Sequence, residues 1–202
     1  LTIHRELAQK NPGVYLPGLA KTLNNLGALV LLNSSRRNQA EKIIKEALTI
    51  YRELAQKNPG VYLSNVAMTL INLGNLVQAD SNRRQEAEKI YQEALTIYRD
   101  LAQRSPSVYL HYKAKILNNL GILVRVDNSR RGEAEKMFQE ALIIQHELAK
   151  KNPGVYQPYV ATTLNNLGNL VQADSRRRKE AEKIFKEALT IRRELAKKNH
   201  SV

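Results

Sequence analysis

The chain has 202 residues, a formal net charge of +13, 43% hydrophobic residues and no cysteine. That length supports one large core or a string of small ones, and the composition is globular rather than disordered. Without cysteine there is neither a disulfide framework nor a thiolate metal site, which fits a reducing compartment, so a cytoplasmic location is expected.

The chain opens inside a repeat. Leu1, Leu48, Leu95, Leu142 and Leu189 head equivalent segments, a period of 47 residues that no insertion breaks. Gly27, Gly74, Gly121 and Gly168 keep the same period, as do Tyr15, Tyr62, Tyr109 and Tyr156. A remnant over 1–14 is therefore followed by four repeats, 15–61, 62–108, 109–155 and 156–202, in one repeat domain over 1–202. A chain that begins within a repeat is expected to be a fragment of a longer protein. No signal peptide is visible. The apolar run LGALVLL, residues 26–32, is far short of the about 20 residues that cross a bilayer.

Each repeat reads as two helices. Leu23, Leu26, Gly27 and Val30 fall on one face of a first helix, placed at 16–32. Pro17 and Pro158 suit the first turn of that helix, where a missing N–H costs nothing. The polar stretches NSSRR and DSNRR supply N-capping residues between the helices. Ala40, Ile43, Ile44, Ala47, Tyr51 and Leu54 form the apolar stripe of a second helix, placed at 37–57. KNPG ends it, because a proline drives the residue before it out of the helical region. The recurring tyrosines follow Pro-x-Val in the loop to the next repeat, where they are expected to fill the junction. Gly27 and its equivalents, with Ala40 and Ala47 opposite, let the two helices approach closely. No segment alternates with period two, so the fold class is all-α.

Leu164-x2-Leu167-Gly168-x2-Val171, followed by Ala181-x3-Phe185-x2-Ala188, resembles the tetratricopeptide repeat. The second repeat shows Leu70, Leu73, Gly74, Val77, Ala87, Tyr91 and Ala94, and the third Leu117, Leu120, Gly121, Val124, Ala134, Phe138 and Ala141. LPGLAKTLNNLG and EAEKIYQEALTIYREL are similar to the longer repeats of kinesin light chains and of bacterial signalling proteins. Leucine stands where the family often has tryptophan, valine where it has tyrosine, and Ile44 takes the aromatic place in the first repeat. The period is 47 against the 34 usual in the family. The extra length lies around RELAQKNPGVY, so the second helix and the loop after it are expected to be longer than usual. The resemblance implies a right-handed α-solenoid of stacked antiparallel helix pairs. It further implies a concave groove that binds a peptide or partner protein, without catalysis.

The residues agree on catalysis. His4, His111, His146 and His200 sit at different places in the repeat, and no two stand at zinc-ligand spacing. There is no glycine-rich phosphate loop and no nucleophile motif. Glu86 and Glu88 read as a solvated face with Arg and Lys partners. No catalytic residue, metal or cofactor is expected.

Two recurring sets are candidates for binding. Asn25, Asn72, Asn119 and Asn166 sit two residues beyond a core leucine, about 200° around the helix and away from the core stripe. Asn24, Asn118 and Asn165 lie beside them, and Asn75 and Asn169 one turn on. By the resemblance this face lines the groove. Asparagine is a mediocre helix former, so its recurrence needs a cause. One cause is gripping an extended peptide backbone, since a carboxamide both donates and accepts. The other is bracing the neighbouring first helix. Specificity is expected from variable positions: Ala28, Asn75, Ile122 and Asn169, then Leu31, Gln78, Arg125 and Gln172, then Leu32, Ala79, Val126 and Ala173. The second set is the arginine pairs Arg36-Arg37, Arg83-Arg84, Arg130-Arg131 and Arg177-Arg178 in the turn between the helices. An arginine opposes the dipole of the helix it precedes. Carbonyl ends and glutamates offset this, or the edge meets nucleic acid or another acidic partner. Nucleic acid along this edge is the alternative to a protein or peptide partner. Leu1, Ile3 and Leu7 leave apolar surface at one end, so end-to-end self-association is expected.

Overall fold

The computed structural model describes residues 6–8 and 10–199, and Leu1, Ile3, His4 and His200 lie outside them. From residue 12 onward the described residues form eight long helices: α1 (Pro12–Val30), α2 (Arg37–Lys57), α3 (Pro59–Val77), α4 (Arg84–Arg104), α5 (Pro106–Val124), α6 (Arg131–Lys151), α7 (Pro153–Val171) and α8 (Arg178–Asn199). They alternate as first and second helices of antiparallel pairs, an α-solenoid. The contacts divide them into two compact units, residues 1–101 and 102–202.

The second helix of the first repeat runs over 37–57 as the sequence predicts, but the first helix does not run over 16–32. It starts at Pro12 and stops at Val30. The first-turn prolines are Pro12, Pro59, Pro106 and Pro153, whose missing N–H is one of the unpaired groups of a helix start. Pro17 and Pro158 lie inside α1 and α7 instead. Nor is there a long loop after the second helix. Asn58 alone separates α2 from α3, held extended at φ −142° and ψ 78° ahead of Pro59. Its N–H still bonds Leu54 O at 2.9 Å, so one residue closes one helix and opens the next. The extra length of the 47-residue repeat is therefore helix, and Tyr15, Tyr62, Tyr109 and Tyr156 stand on first helical turns rather than in a loop. Leu31, Gln78, Arg125 and Gln172 follow the last helical residue of their first helices.

Between the helices of a pair, a short 3-10 turn is capped by Asn33, Asp80, Asp127 or Asp174. Each side chain accepts the backbone N–H two residues on, from Ser35, Asn82, Ser129 and Arg176, at 2.9–3.1 Å. A short side-chain acceptor that bonds its own backbone in this way turns the chain tightly.

Inside the pair, the glycine of the first helix faces the largest side chain of the second. A Cβ on Gly74 would stand 2.6 Å from the Tyr91 ring, on Gly121 2.7 Å from Phe138, and on Gly168 2.6 Å from Phe185. At Gly27 it would strike Ile44. Tyr91 and Phe138 are fully buried there. Around these contacts each unit builds a core of its own. The first unit uses Leu23, Ile44, Leu70 and Val77; the second uses Leu142, Val160, Leu164 and Val171. By length and composition α3 is apolar enough to cross a membrane, but half of that stretch is buried within the protein.

Gly74→Ala should therefore lose about 1–2 kcal/mol in urea denaturation, since overpacking against Tyr91 outweighs alanine's better helix propensity. Gly132→Ala, in α6 with nothing near its Cβ, should gain about 0.5–1 kcal/mol.

Candidate functional site

The asparagines lie along the first helices. In the first unit, Asn72 Nδ2 of α3 donates to Asn24 Oδ1 of α1 at 3.1 Å. In the second unit, Asn166 Nδ2 of α7 donates to Asn118 Oδ1 of α5 at 2.9 Å. Both bonds run from the outer asparagine of one repeat to the inner asparagine of the repeat before it. Ile71 holds the inner place in the second repeat. Asn24 is only 8% exposed, so it belongs to the interface between repeats and not to an open groove. Asn25 is exposed, while Asn72, Asn118, Asn119, Asn165 and Asn166 are partly buried. Each brace uses the amide nitrogen of Asn72 or Asn166. Each leaves the Oδ1 of that residue, with its two lone pairs, unengaged among the described residues.

The variable positions divide. Asn75 Oδ1 accepts the Tyr91 hydroxyl at 2.7 Å, so a position expected to set specificity is tied into its own helix pair. Asn169 accepts from Gln172 Nε2 at 3.0 Å. Gln78 is partly buried, and Leu32, at 83% exposed, stands beyond the end of α1. Arg125, Asn169 and Arg131 line one shallow depression of about 270 Å³ in the second unit, where a predicted groove residue and a predicted edge residue meet.

The arginine pairs split by position. The first of each pair turns inward. Arg83 reaches back to α2, with Nη1 and Nη2 each 2.7 Å from the Glu41 carboxylate, and binds Glu86 of its own repeat at 2.8 Å. Arg177 repeats this on Glu135 of α6 at 2.7–2.8 Å, and on Glu180. Arg130 binds Glu133 at 2.8 Å. Arg36 bonds Gln39 in place of that glutamate, at 2.9 Å. The second of each pair begins a helix: Arg37, Arg84 and Arg178 stand exposed and Arg131 is partly buried. Among the described residues none of these four makes an ion pair, so they are the outward cations of the edge.

The clamp is strong enough to shift its members. The hydrogen bonds from Arg83 come first in holding the Glu41 carboxyl at about 2, below the 4.5 of a free glutamate, against the opposing effect of burial. Glu41 first, then Glu86, pushes Arg83 upward, because the guanidinium serves two carboxylates. Glu135 and Glu180, in that order, do the same to Arg177. A bidentate guanidinium–carboxylate pair with one partner largely shielded outperforms an ordinary surface ion pair.

Sequence reasoning places the tyrosines at junctions without the cavity they border. His111, Tyr156 and Tyr159 enclose a small space in the second unit, together with Gln145. The remaining described histidine, His146, lies 3.9 Å from Glu187. No three His, Asp or Glu side chains group as a metal site among the described residues.

Models of the tetratricopeptide repeat match residues 19–59, 63–105 and 114–194. Among solved structures, one titled DHF58 filament is similar at 14% identity, with a TM-score of 0.48 over 92% of this chain and 96% of that chain. No curated protein matches the sequence.

Glu41→Gln removes one carboxylate from the Arg83 clamp and should cost about 1.5–3 kcal/mol at neutral pH. Because the carboxyl is depressed in the folded state, its contribution is complete above 4.5 and disappears as pH falls toward 2. Melting curves of the two proteins should thus be well separated at neutral pH and converge in acid.

Proposed function

This chain belongs to the tetratricopeptide repeat family, whose repeats are generally protein-interaction scaffolds, and we propose that it holds an extended segment of a partner protein along its first helices, without catalysing a reaction. The observation that carries this reading is the half-used carboxamide. In each unit one asparagine is fixed by donating to the preceding repeat, while its carbonyl oxygen keeps its full accepting capacity. A group held in one orientation with an open acceptor is preorganised for an incoming N–H, so little side-chain freedom is lost on binding.

The spacing agrees. Packed helices stand 8–10 Å apart, roughly the span of three extended residues. A strand-like segment crossing from α1 to α3 meets the prepared acceptor of Asn72 about three residues after it passes Asn25, and one crossing from α5 to α7 meets that of Asn166 about three residues after it passes α5. Asn25, Asn165 and Arg125 flank these acceptors and differ between the units, which gives each a different set of neighbouring side chains. Bracing and binding are then two uses of one residue. The cytoplasm is the proposed location, where the cysteine-free composition is at home.

A peptide selected from a random display library on the 202-residue chain tests this reading. Asn166→Ala, which removes brace and acceptor together, should weaken the peptide by about two- to tenfold, the value of one net hydrogen bond. Asn118→Ala, which removes only the brace, should lower the melting temperature similarly but change affinity by less than about half of that, on a logarithmic scale. Equal losses of affinity in both variants would reduce the asparagine row to bracing alone.

A further inference from the structure

The second unit departs from its own repeat at one place in α6. In the first repeat the second helix carries Tyr51, and in the second repeat Tyr98; both are buried. Tyr51 is hydrogen-bonded to Asn65 of α3, and the Tyr98 hydroxyl donates to Ser64 O at 3.3 Å. The 47-residue period puts Gln145 at that place in the third repeat. Gln145 is only 4% exposed, and its Oε1 has no hydrogen-bond partner among the described residues. Where the first two repeats have a phenol ring, there is a cavity of about 130 Å³. At the place of Asn65, which satisfies Tyr51, the fourth repeat has Tyr159.

The lining states what would fill the space. His111, Tyr156 and Tyr159 form a series of rings, with centroids 6.4 Å apart for His111 and Tyr156 and 6.5 Å for Tyr156 and Tyr159. Tyr159 is 51% exposed and offers a ring at the mouth. These walls suit a flat occupant. The volume is on the scale that accepts one six-membered ring, too small for a fused pair. Gln145 Oε1 is itself shut off from the cavity, and a turn of the carboxamide about its last torsion brings it to the lining, where a donor would satisfy a buried amide oxygen that is costly to leave unpaired. Lys115 is exposed on the lining and is its one fixed cation. Burial first, and Lys115 in addition, lowers the His111 pKa, so the imidazole is neutral at neutral pH and adds no second charge.

A single flat ring with an N–H donor and an attached anion meets all of these demands. We propose that this cavity binds the base of a pyrimidine nucleotide, with the base against the tyrosine rings, its N–H donated to Gln145 Oε1 and its phosphate at Lys115. The amide nitrogen of Gln145 can serve the neighbouring acceptor of the base, the two-point edge contact that carboxamides make with nucleobases. The nucleotide is either free or part of a single strand, since both carry the same base and phosphate. This site is separate from the asparagine rows, and its fate does not decide theirs.

The test is titration of the ¹⁵N-labelled 202-residue chain, followed by NMR, with cytidine monophosphate, cytidine, adenosine monophosphate, ribose 5-phosphate, p-cresol and a short oligodeoxycytidine. Cytidine monophosphate should give saturable shifts of the Gln145 side-chain amide, and ribose 5-phosphate should not. Gln145→Tyr restores the side chain of the first two repeats; it should keep or raise the melting temperature and weaken cytidine monophosphate at least about tenfold. Lys115→Met, which installs the residue that α3 carries at Met68, should weaken the nucleotide but leave cytidine unchanged. If the oligomer binds more tightly than the mononucleotide, with a steeper salt dependence and the same sensitivity to Gln145→Tyr, the source is a strand; if not, it is the free nucleotide. The proposal is overturned if no titrant saturates, if Gln145→Tyr binds cytidine monophosphate as well as the parent chain, if adenosine monophosphate binds equally well, or if p-cresol binds more tightly than the nucleotide. That last result would point instead to a protein partner's tyrosine.

Discussion

One contact per repeat sets the distance between the two helices of a pair: a glycine without a side chain on the first, and a ring or Ile44 filling the space on the second. Interiors are packed to crystalline density, so this distance cannot drift by even a methyl group without cost. From it follow the positions of everything on the outer surface. The capped turn between the helices is short because the helices are close. The single residue before each first-turn proline returns the chain at once for the next pair. A helix pair of this kind cannot bury its own apolar faces, so the next pair has to supply the cover.

Hydrophobic cover alone would let neighbouring pairs slide. Two polar fasteners oppose that within the units. The Arg83–Glu41 and Arg177–Glu135 pairs tie the turn of one repeat to the second helix of the repeat before it, and the asparagine braces tie first helix to first helix. Both demand specific geometry, the first through a planar fork and the second through a short amide. Any surface built from several repeats depends on their register for the spacing of its side chains.

The repeat made much of this readable. The recurrence of Gly27, Gly74, Gly121 and Gly168 opposite Ile44, Tyr91, Phe138 and Phe185 points directly at a close helix pair. The bounds of the second helix are legible because polar capping residues precede it and a proline follows it. The start of the first helix is not, since Pro12 and Pro17 both fit a first turn, and only the φ and ψ of Asn11 and Asn58 choose the earlier one. The fasteners are hidden for a different reason. The Arg83 partner lies 42 residues back and the Asn72 partner 48 residues back, neither of them one period, so comparing repeats column by column does not join them. The unusual cavity did leave a mark, a column reading Tyr51, Tyr98, Gln145 and Arg192. A polar residue replacing a buried ring is a signal that can be read without coordinates.

The most direct test of the account is a double-mutant cycle between Gly121 and Phe138 by equilibrium urea denaturation, using Gly121→Ala, Phe138→Leu and both together. If contact between this glycine and this ring sets the helix spacing, the smaller leucine makes room for the alanine. The double variant should then be more stable than the sum of the single losses by about 1 kcal/mol or more. Additive losses, within about 0.5 kcal/mol, would mean that the two positions do not constrain each other and that something else holds the helices at their distance.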